Sequence, residues 1–474
     1  MTDLNKISSS VYLVFFIVLA ILLRFLSFRF SVSDHDESTY LVIAQELLKG
    51  KLLYLDVWDT KPVGIFLVFA LALKVFGSSI VTIRLIAALV IGLTAHLLFL
   101  CIKRWGRQTS HAFPAAVAYI MMCAMHKWVF SANAEIFNNL MTVTALFFFL
   151  GKKTGINFFL AGLAIGLGFV TKYFILFDML AFWLFYLVSL NKFHPKQRTL
   201  YLIKNSCFMG FGFIIPLLAV FSYFSLTDRF HELWFATFIL PIKYPSGFNL
   251  LAALNFFAGF HLIYAPFVII AYPALFRSKE KELSRFGILW MTLVWIIILL
   301  PGKFYFHYYF QLLLPFAFTI PGILGSGSRL ERFILKYRKT LLIIGISGFL
   351  AWNVTLQYSH FISKPDINRE IAHYLKGQMT ADEVLYCNQN TVLYFLLGKS
   401  PPGKYVHPTL TVDLDHIQAI GLDSQAEFQK IIDKQPDFLV IKDNPHFLLQ
   451  DYINSHCSLI KTGWEQTRIY ARNE

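Results

Sequence analysis

SDHDESTYLVIAQELLKGKLLYLDVWDTKPVG, residues 33–64, is a polar island in a strongly apolar chain. Asp34, Asp36 and Glu37 stand together at its head, and Asp56, Asp59 and Lys61 close it. Before it lies Val11–Phe30, an apolar run long enough to cross a bilayer. After it lies Pro62–Phe76, PVGIFLVFALALKVF, apolar but short for a span and carrying Lys74. Carboxylates beside hydrocarbon are costly to keep, so their clustering here points to chemistry.

The wider composition makes the setting a membrane. The chain has 474 residues, 57% hydrophobic, 17% aromatic and only 15% charged. Apolar runs of about 20 residues recur, each able to span a hydrocarbon core of roughly 30 Å. The formal charge of +14 resides mostly in short loops between these runs, a positive-inside pattern that argues against nucleic acid as a partner. Val11–Phe30 is too long for a signal h-region and no small-residue cleavage pattern follows, so it reads as the first span. Cys101, Cys123 and Cys207 sit in or beside apolar segments as packing residues, whereas Cys387 and Cys457 lie in the polar tail and have the option of pairing in an oxidising compartment.

Pro62–Phe76 decides the topology. If it crosses, Lys103, Arg104 and Arg107 land outside; if it lies along the outer interface, they land in the cytoplasm with the other basic loops. The second reading predicts about eleven spans by the same rule: Val11–Phe30, Ile80–Ile102, Ala112–Phe130, Ile136–Leu150, Phe158–Thr171, Tyr173–Leu190, Leu202–Leu226, Leu251–Phe276, Phe286–Leu300, Tyr309–Gly325 and Leu341–Tyr358. The N-terminus is then cytoplasmic and the C-terminus outside. From about Ser359 the composition is that of a soluble domain. Helical spacing over Ile367–Lys376 and Gln425–Lys434 alternates with strand-like Glu383–Cys387 and Phe438–Ile441, predicting a small α/β domain. The expected organisation is a transmembrane domain over 1–358, with an external loop at 31–79, and an extracytoplasmic domain over 359–474.

With that topology, one membrane face gathers Asp34, Asp36, Glu37, Asp56, Asp59, Lys61, Arg84, Glu135, Lys172, Lys303, His307, Tyr308 and Tyr309, with Asp178 deeper. Carboxylates mixed with cations suit group transfer from a phosphorylated lipid. Cations stabilise the charge that develops on a leaving phosphate, and a carboxylate can take the proton of an acceptor hydroxyl. Each residue also has a plainer role: Asp34 as a helix cap, Asp36 and Glu37 as favourable charges in a first turn, and Lys61, Lys172 and Lys303 as snorkelling anchors. Arg84 would anchor its span, Glu135 would be a solvated loop residue, and His307 would belong to an aromatic belt. The Asp-His-Asp-Glu string is a weak metal signal, so neither metal nor cofactor is expected. No nucleotide-binding glycine pattern occurs in a credible setting.

The ordered string DESTYLVIAQELLKGKLLYLDVWDTKPVGIFL resembles the first external loop of the GT-C polyprenyl-phosphate-dependent glycosyltransferases. It is most similar to the branch with the lipid A aminoarabinose transferase and the protein O-mannosyltransferases. The matching positions are Asp36-Glu37, Tyr40, Gly50, Tyr54, Asp56, Lys61-Pro62, Phe76-Gly77 and Arg84. Glu135, Gly166, Thr171-Lys172 and GKFYFHYYFQLLLP before the tenth span extend the likeness to residues 10–325. The resemblance implies Asp36 as catalytic carboxylate supported by Glu37, and Lys61, Arg84 and Lys303 around the donor phosphate. It implies Tyr40, Asp56, Glu135, Lys172, His307 and Tyr308 around sugar or acceptor. Thr39 replaces a basic residue of the aminoarabinose branch and Val63 replaces a frequent second proline, so the donor sugar is not inherited. The expected function is transfer of a sugar from a polyprenyl-phosphate donor to an acceptor hydroxyl, with inversion, at the outer face of a bacterial-type inner membrane. The acceptor would be a lipid, a glycan or a protein. The alternative is a transporter or flippase for a lipid-linked saccharide, though such proteins concentrate charge near the midplane and carry paired repeats.

Overall fold

The computed structural model describes residues 7–32, 34–192, 194–243, 247–277, 280–324, 326–412 and 414–473. Ser33 at the head of the polar stretch, Lys279 in a basic loop and Gly325 at the expected end of a span lie outside them. The chain is mainly helical and polytopic, and divides into two compact units. The first comprises Met1–Phe28, Arg84–Phe221 and Ser246–His360; the second comprises Arg29–Ile83, Ser222–Pro245 and Phe361–Glu474.

The first unit is an apolar helix bundle. Among the described residues, Ile80–Arg104, Pro195–Leu226 and Lys281–Leu299 are helices long and apolar enough to cross a membrane, as is the run that begins with the helix Arg338–Gln357. Ser9–Leu22, Ala134–Phe149, Gly155–Phe169 and Ile175–Ser189 are apolar but shorter. Leu251–Phe276, expected as one span, is two helices, Leu250–Ile263 and Ala265–Arg277, bent by 96°. The break falls where Pro266 has no N–H to donate and its ring crowds the preceding turn.

Helices approach where side chains vanish. A Cβ on Gly162 would strike the carbonyl of Met209, one on Gly166 that of Phe213, and one on Gly212 that of Phe159. Close backbone contact replaces the hydrophobic driving force that lipid removes. Buried polar side chains then pin loops to helices. Arg24 donates to the carbonyls of Cys123 at 2.9 Å and Phe130 at 2.8 Å, while Asn353 reaches Ala124 O at 2.9 Å and Gln357 reaches Leu23 O at 3.0 Å.

The second unit joins the polar stretch to the tail. Asp34 accepts from Asp36 N at 3.1 Å and so starts the helix His35–Leu48, with Asp36 and Glu37 in the dipole-favoured first turn. Gly50, at φ +88°, lets the chain turn away. The second helix, Val63–Phe76, stops at Gly77 with φ +95°. At 1.5 Å per residue its 14 residues reach about 21 Å, less than a bilayer core. Tyr40 joins the two helices, its ring lying 5.7 Å from Phe66 and 5.4 Å from Phe69. Leu67, Leu71, Val75 and Phe76 leave the second helix with an exposed apolar face.

In the tail, helix Ile367–Lys376 precedes a four-stranded sheet of β1 (Leu385–Cys387), β2 (Phe438–Ile441), β3 (Cys457–Gly463) and β4 (Thr467–Arg472), in the order β1-β2-β4-β3. β1 and β2 are parallel; β4 is antiparallel to both its neighbours. Helix Ser424–Ile432 covers the sheet, with Phe428 and Ile431 packed on Leu439 and Ile441. Cys387 and Cys457 occupy strands at opposite edges, so they do not pair.

Candidate active site

Lys61 Nζ donates to Asp36 Oδ1 at 2.7 Å and lies 3.3 Å from Asp59 Oδ1. Helix packing brings this about: Asp36 sits in the first turn of His35–Leu48, and Lys61 on the approach to Val63–Phe76. Asp59 is 1% exposed; its Oδ1 also accepts from Thr60 N at 2.5 Å and Lys61 N at 3.3 Å. Asp59 Oδ2 has no hydrogen-bond partner among the described residues. Burial opposes the charge of Lys61, but Asp36 and Asp59 outweigh it and hold the ammonium's pKa well above the usual lysine value.

The turn that delivers Lys61 is strained. Tyr54 has φ +67°, a conformation unusual for an aromatic residue, and three bonds hold the turn. Tyr54 N donates to Val57 O at 2.7 Å, its hydroxyl to Lys61 O at 2.8 Å, and Leu52 N to Asp56 Oδ2 at 2.8 Å. Asp56, assigned above to substrate, is thus exposed and engaged in shaping the turn. Tyr40 and Glu37 are buried, and the Lys61 ammonium stands 5.8 Å from the Tyr40 ring.

A residue that sequence reasoning missed completes the cluster. His407 Nε2 is 3.3 Å from Asp36 Oδ1, and its Nδ1 is 2.8 Å from Thr409 Oγ1. It lies in the tail segment KYVHPT, which carries no local motif for a catalytic group. Neighbouring contacts explain its arrival. Trp58 N donates to Lys404 O at 2.8 Å, the Trp58 and Tyr405 rings lie 5.2 Å apart, and buried Glu46 accepts from Ser400 Oγ at 2.9 Å.

Four other expected residues form a second cluster, in the first unit. Lys172 pairs with Glu135, which is 1% exposed, and His307 Nε2 is 3.7 Å from the same carboxylate. Lys172 Nζ also faces the rings of Tyr308 at 4.7 Å and Phe174 at 5.0 Å. Glu135 opens helix Ala134–Phe149, Lys172 follows the end of Gly155–Phe169, and His307 and Tyr308 lie in the short turn Phe306–Tyr309. Lys303, half-buried, precedes that turn.

Arg84 is fully buried and donates to the carbonyl of Ser27, an anchoring position within the first unit. Asp178 accepts from Trp290 Nε1 at 2.5 Å and Thr142 Oγ1 at 3.4 Å, which makes it a helix-to-helix tie. Among the described residues no three His, Cys, Asp or Glu side chains converge as metal ligands would.

Residues 60–211 match the family model for dolichyl-phosphate-mannose-protein mannosyltransferases. No protein of curated function matches by sequence. Among solved structures, ArnT from Cupriavidus metallidurans, bound to undecaprenyl phosphate, superposes with a TM-score of 0.67 at 14% identity, over 98% of each chain. The oligosaccharyltransferase AglB from Archaeoglobus fulgidus, in complex with an inhibitory peptide and a dolichol-phosphate, superposes with a TM-score of 0.59 at 10% identity, over 93% of this chain and 70% of that one. The architecture is therefore the GT-C fold.

Proposed function

From a chain with the GT-C fold and a segment matching the dolichyl-phosphate-mannose-protein mannosyltransferases, we propose an integral-membrane glycosyltransferase that moves a sugar from a polyprenyl-phosphate to an acceptor hydroxyl. The reaction is a single displacement at the anomeric carbon. The acceptor oxygen attacks, its proton passes to Asp36, the bond from carbon to phosphate oxygen breaks, and the electron pair leaves with the phosphate. The product is inverted at that carbon. Transfer occurs at the outer face of a bacterial-type inner membrane, with Val63–Phe76 lying along the interface on its apolar face.

The observation that carries this reading is the Asp36–Lys61 pair, with Asp59 behind it and His407 beside it. A carboxylate whose oxygen is bound by an ammonium is a weak base. An arriving anionic phosphate competes for that ammonium. As Lys61 turns to the phosphate it stabilises the leaving group and frees Asp36 to take the acceptor proton. Asp59 keeps the ammonium near throughout. Glu135, Lys172, His307 and Tyr308, with Lys303, are assigned to the sugar, acceptor or phosphate on the strength of the resemblance.

The test is transfer from a radiolabelled polyprenyl-phosphate sugar by purified protein. Asp36→Asn is expected to abolish turnover while leaving donor binding in place; equal turnover in the variant and the wild type would overturn the assignment.

A further inference from the structure

A short helix in the first unit carries cations that no carboxylate answers among the described residues. Ser328 Oγ accepts from Glu331 N at 3.0 Å, and Glu331 Oε2 accepts from Gly327 N at 2.6 Å. This reciprocal cap fixes the start of the helix Arg329–Lys336. Glu331 is buried and Leu330 and Ile334 are half-buried, so one side of the helix faces the protein. The other side presents Arg329, Arg332 and Lys336, all exposed and spaced to lie in one row. Phe333 and Leu335 flank that row and are also exposed. A cationic row edged by apolar side chains is the pattern of a helix lying in the plane of a bilayer surface.

The next element places the helix at that level. Tyr337 ends it, and the apolar helix Arg338–Gln357 starts at once. Leu342, Ile343, Ile344 and Ile346 are exposed on the second helix, as a span facing lipid requires. Arg338 and Lys339 stand in its first turn, where the helix dipole disfavours positive charge and no acidic residue offsets them. None of Arg329, Arg332, Lys336, Arg338 and Lys339 makes an ion pair among the described residues. Five cations lie within residues 329–339, two of them against a helix dipole, and their counter-charge must come from outside the chain. The layer that meets the start of a span is the headgroup layer, whose anionic lipids attract clustered Lys and Arg beside a transmembrane helix.

We propose that residues 329–339 form a docking site for anionic phospholipid. The five cations meet the headgroup phosphates, and Phe333, Leu335 and Tyr337, all exposed, sit among the first carbons of the acyl chains. This docking stands apart from the transfer reaction, since none of its residues belongs to either polar cluster described above.

Native mass spectrometry of the full chain in detergent tests it, with phosphatidylglycerol and phosphatidylcholine of matched acyl chains as probes. Wild type is expected to hold phosphatidylglycerol about fivefold or more tightly than phosphatidylcholine. The triple variant Arg329→Gln, Arg332→Gln, Lys336→Gln is expected to lose most of that preference. Its thermal midpoint is expected to stay unchanged, because these exposed side chains hold no ion pair or hydrogen bond among the described residues. A matched variant, Lys196→Gln, Arg198→Gln, Lys204→Gln, removes as many positive charges from the start of helix Pro195–Leu226 and is expected to keep the preference. No preference in wild type, full preference in the triple variant, or equal losses in both variants would overturn the docking site. Displacement of the lipid by inorganic phosphate would overturn it as well, by marking a site for a free anion.

Discussion

Lys61 is the residue on which the proposed chemistry turns, because three groups compete for one ammonium. Its side chain is 24% exposed, and removing it leaves Asp36 and Asp59 facing each other. Breaking a fully buried pair costs about 3–5 kcal/mol; partial exposure reduces the expected loss for Lys61→Met to about 1–3 kcal/mol. Thermal or denaturant unfolding checks it. The folded-state pKa of Lys61 is raised, so its contribution is complete below the unfolded lysine value and fades only as pH rises through the higher folded value. The stability difference between wild type and Lys61→Met is therefore expected to stay flat from about pH 6 to about pH 9. In the proposed reaction His407, 3.3 Å from Asp36, acts through that carboxylate as a positioning residue. His407→Ala is expected to lower transfer by about tenfold or more, since misplacing a reacting group by a fraction of its reach is costly. The acid limb of the rate profile is expected to move to higher pH, because Asp36 loses a polar neighbour at 3.3 Å that favours its ionised form. Restoration of both by His407→Gln would mark a neutral donor's reach to Asp36, rather than the imidazole's charge, as the working feature.

Among the elements, the helix crossing of Gly155–Phe169 with Pro195–Leu226 is the most sensitive. Glycines on both sides bring backbone against backbone, at Gly162 with Met209 and at Gly212 with Phe159. Gly162→Leu has no flexible side chain to displace there, so the helices must separate. An overpacking cost of about 1–3 kcal/mol or more is expected, read as a lowered thermal midpoint in detergent. Gly210, on the same long helix with open space around it, serves as the contrasting position: Gly210→Leu is expected to leave the midpoint nearly unchanged. The turn at Tyr54 illustrates the opposite economy. Its positive φ persists because neighbouring hydrogen bonds over-determine it, and the result is a fixed approach for Lys61.

At the scale of the molecule, the tail is structurally part of the polar loop's unit rather than an appendage. Ser31 donates to Asp366 at 2.7 Å and 2.5 Å, Gln45 Nε2 to Lys399 O at 2.9 Å, and Glu46 joins Lys49 at 2.7 Å to Ser400. Through these contacts the fold of the tail controls the position of His407. Glu46→Ala removes a buried acceptor shared by three donors, Lys49, Ser400 and Gln45. It is expected to increase proteolysis within the tail and to reduce transfer together, as coupled losses. Faster proteolysis with full transfer would separate the tail from the chemistry.

Much of this was legible in the residues. Partition between lipid and water depends on local composition, so apolar runs, basic loops and the polar stretch declare the membrane class without tertiary knowledge. Helix limits were equally local: Asp34 capping Asp36, Gly50 and Gly77 ending their helices, and the periodicity that placed Ile367–Lys376. The ordered match from Asp36 to Lys61 likewise marked the loop. What sequence reasoning did not show was which charges meet. Asp59 carries no role of its own in the local pattern, and His407 has no local signal at all. Both owe their place to packing between segments far apart in the chain, and sequence periodicity has no term for such contacts. The same holds within each unit: packing brings Lys61, Asp59 and His407 to Asp36 in one, and Lys172 and His307 to Glu135 in the other. Composition decides which groups must avoid lipid; only the packed chain decides which of them share a proton or a phosphate.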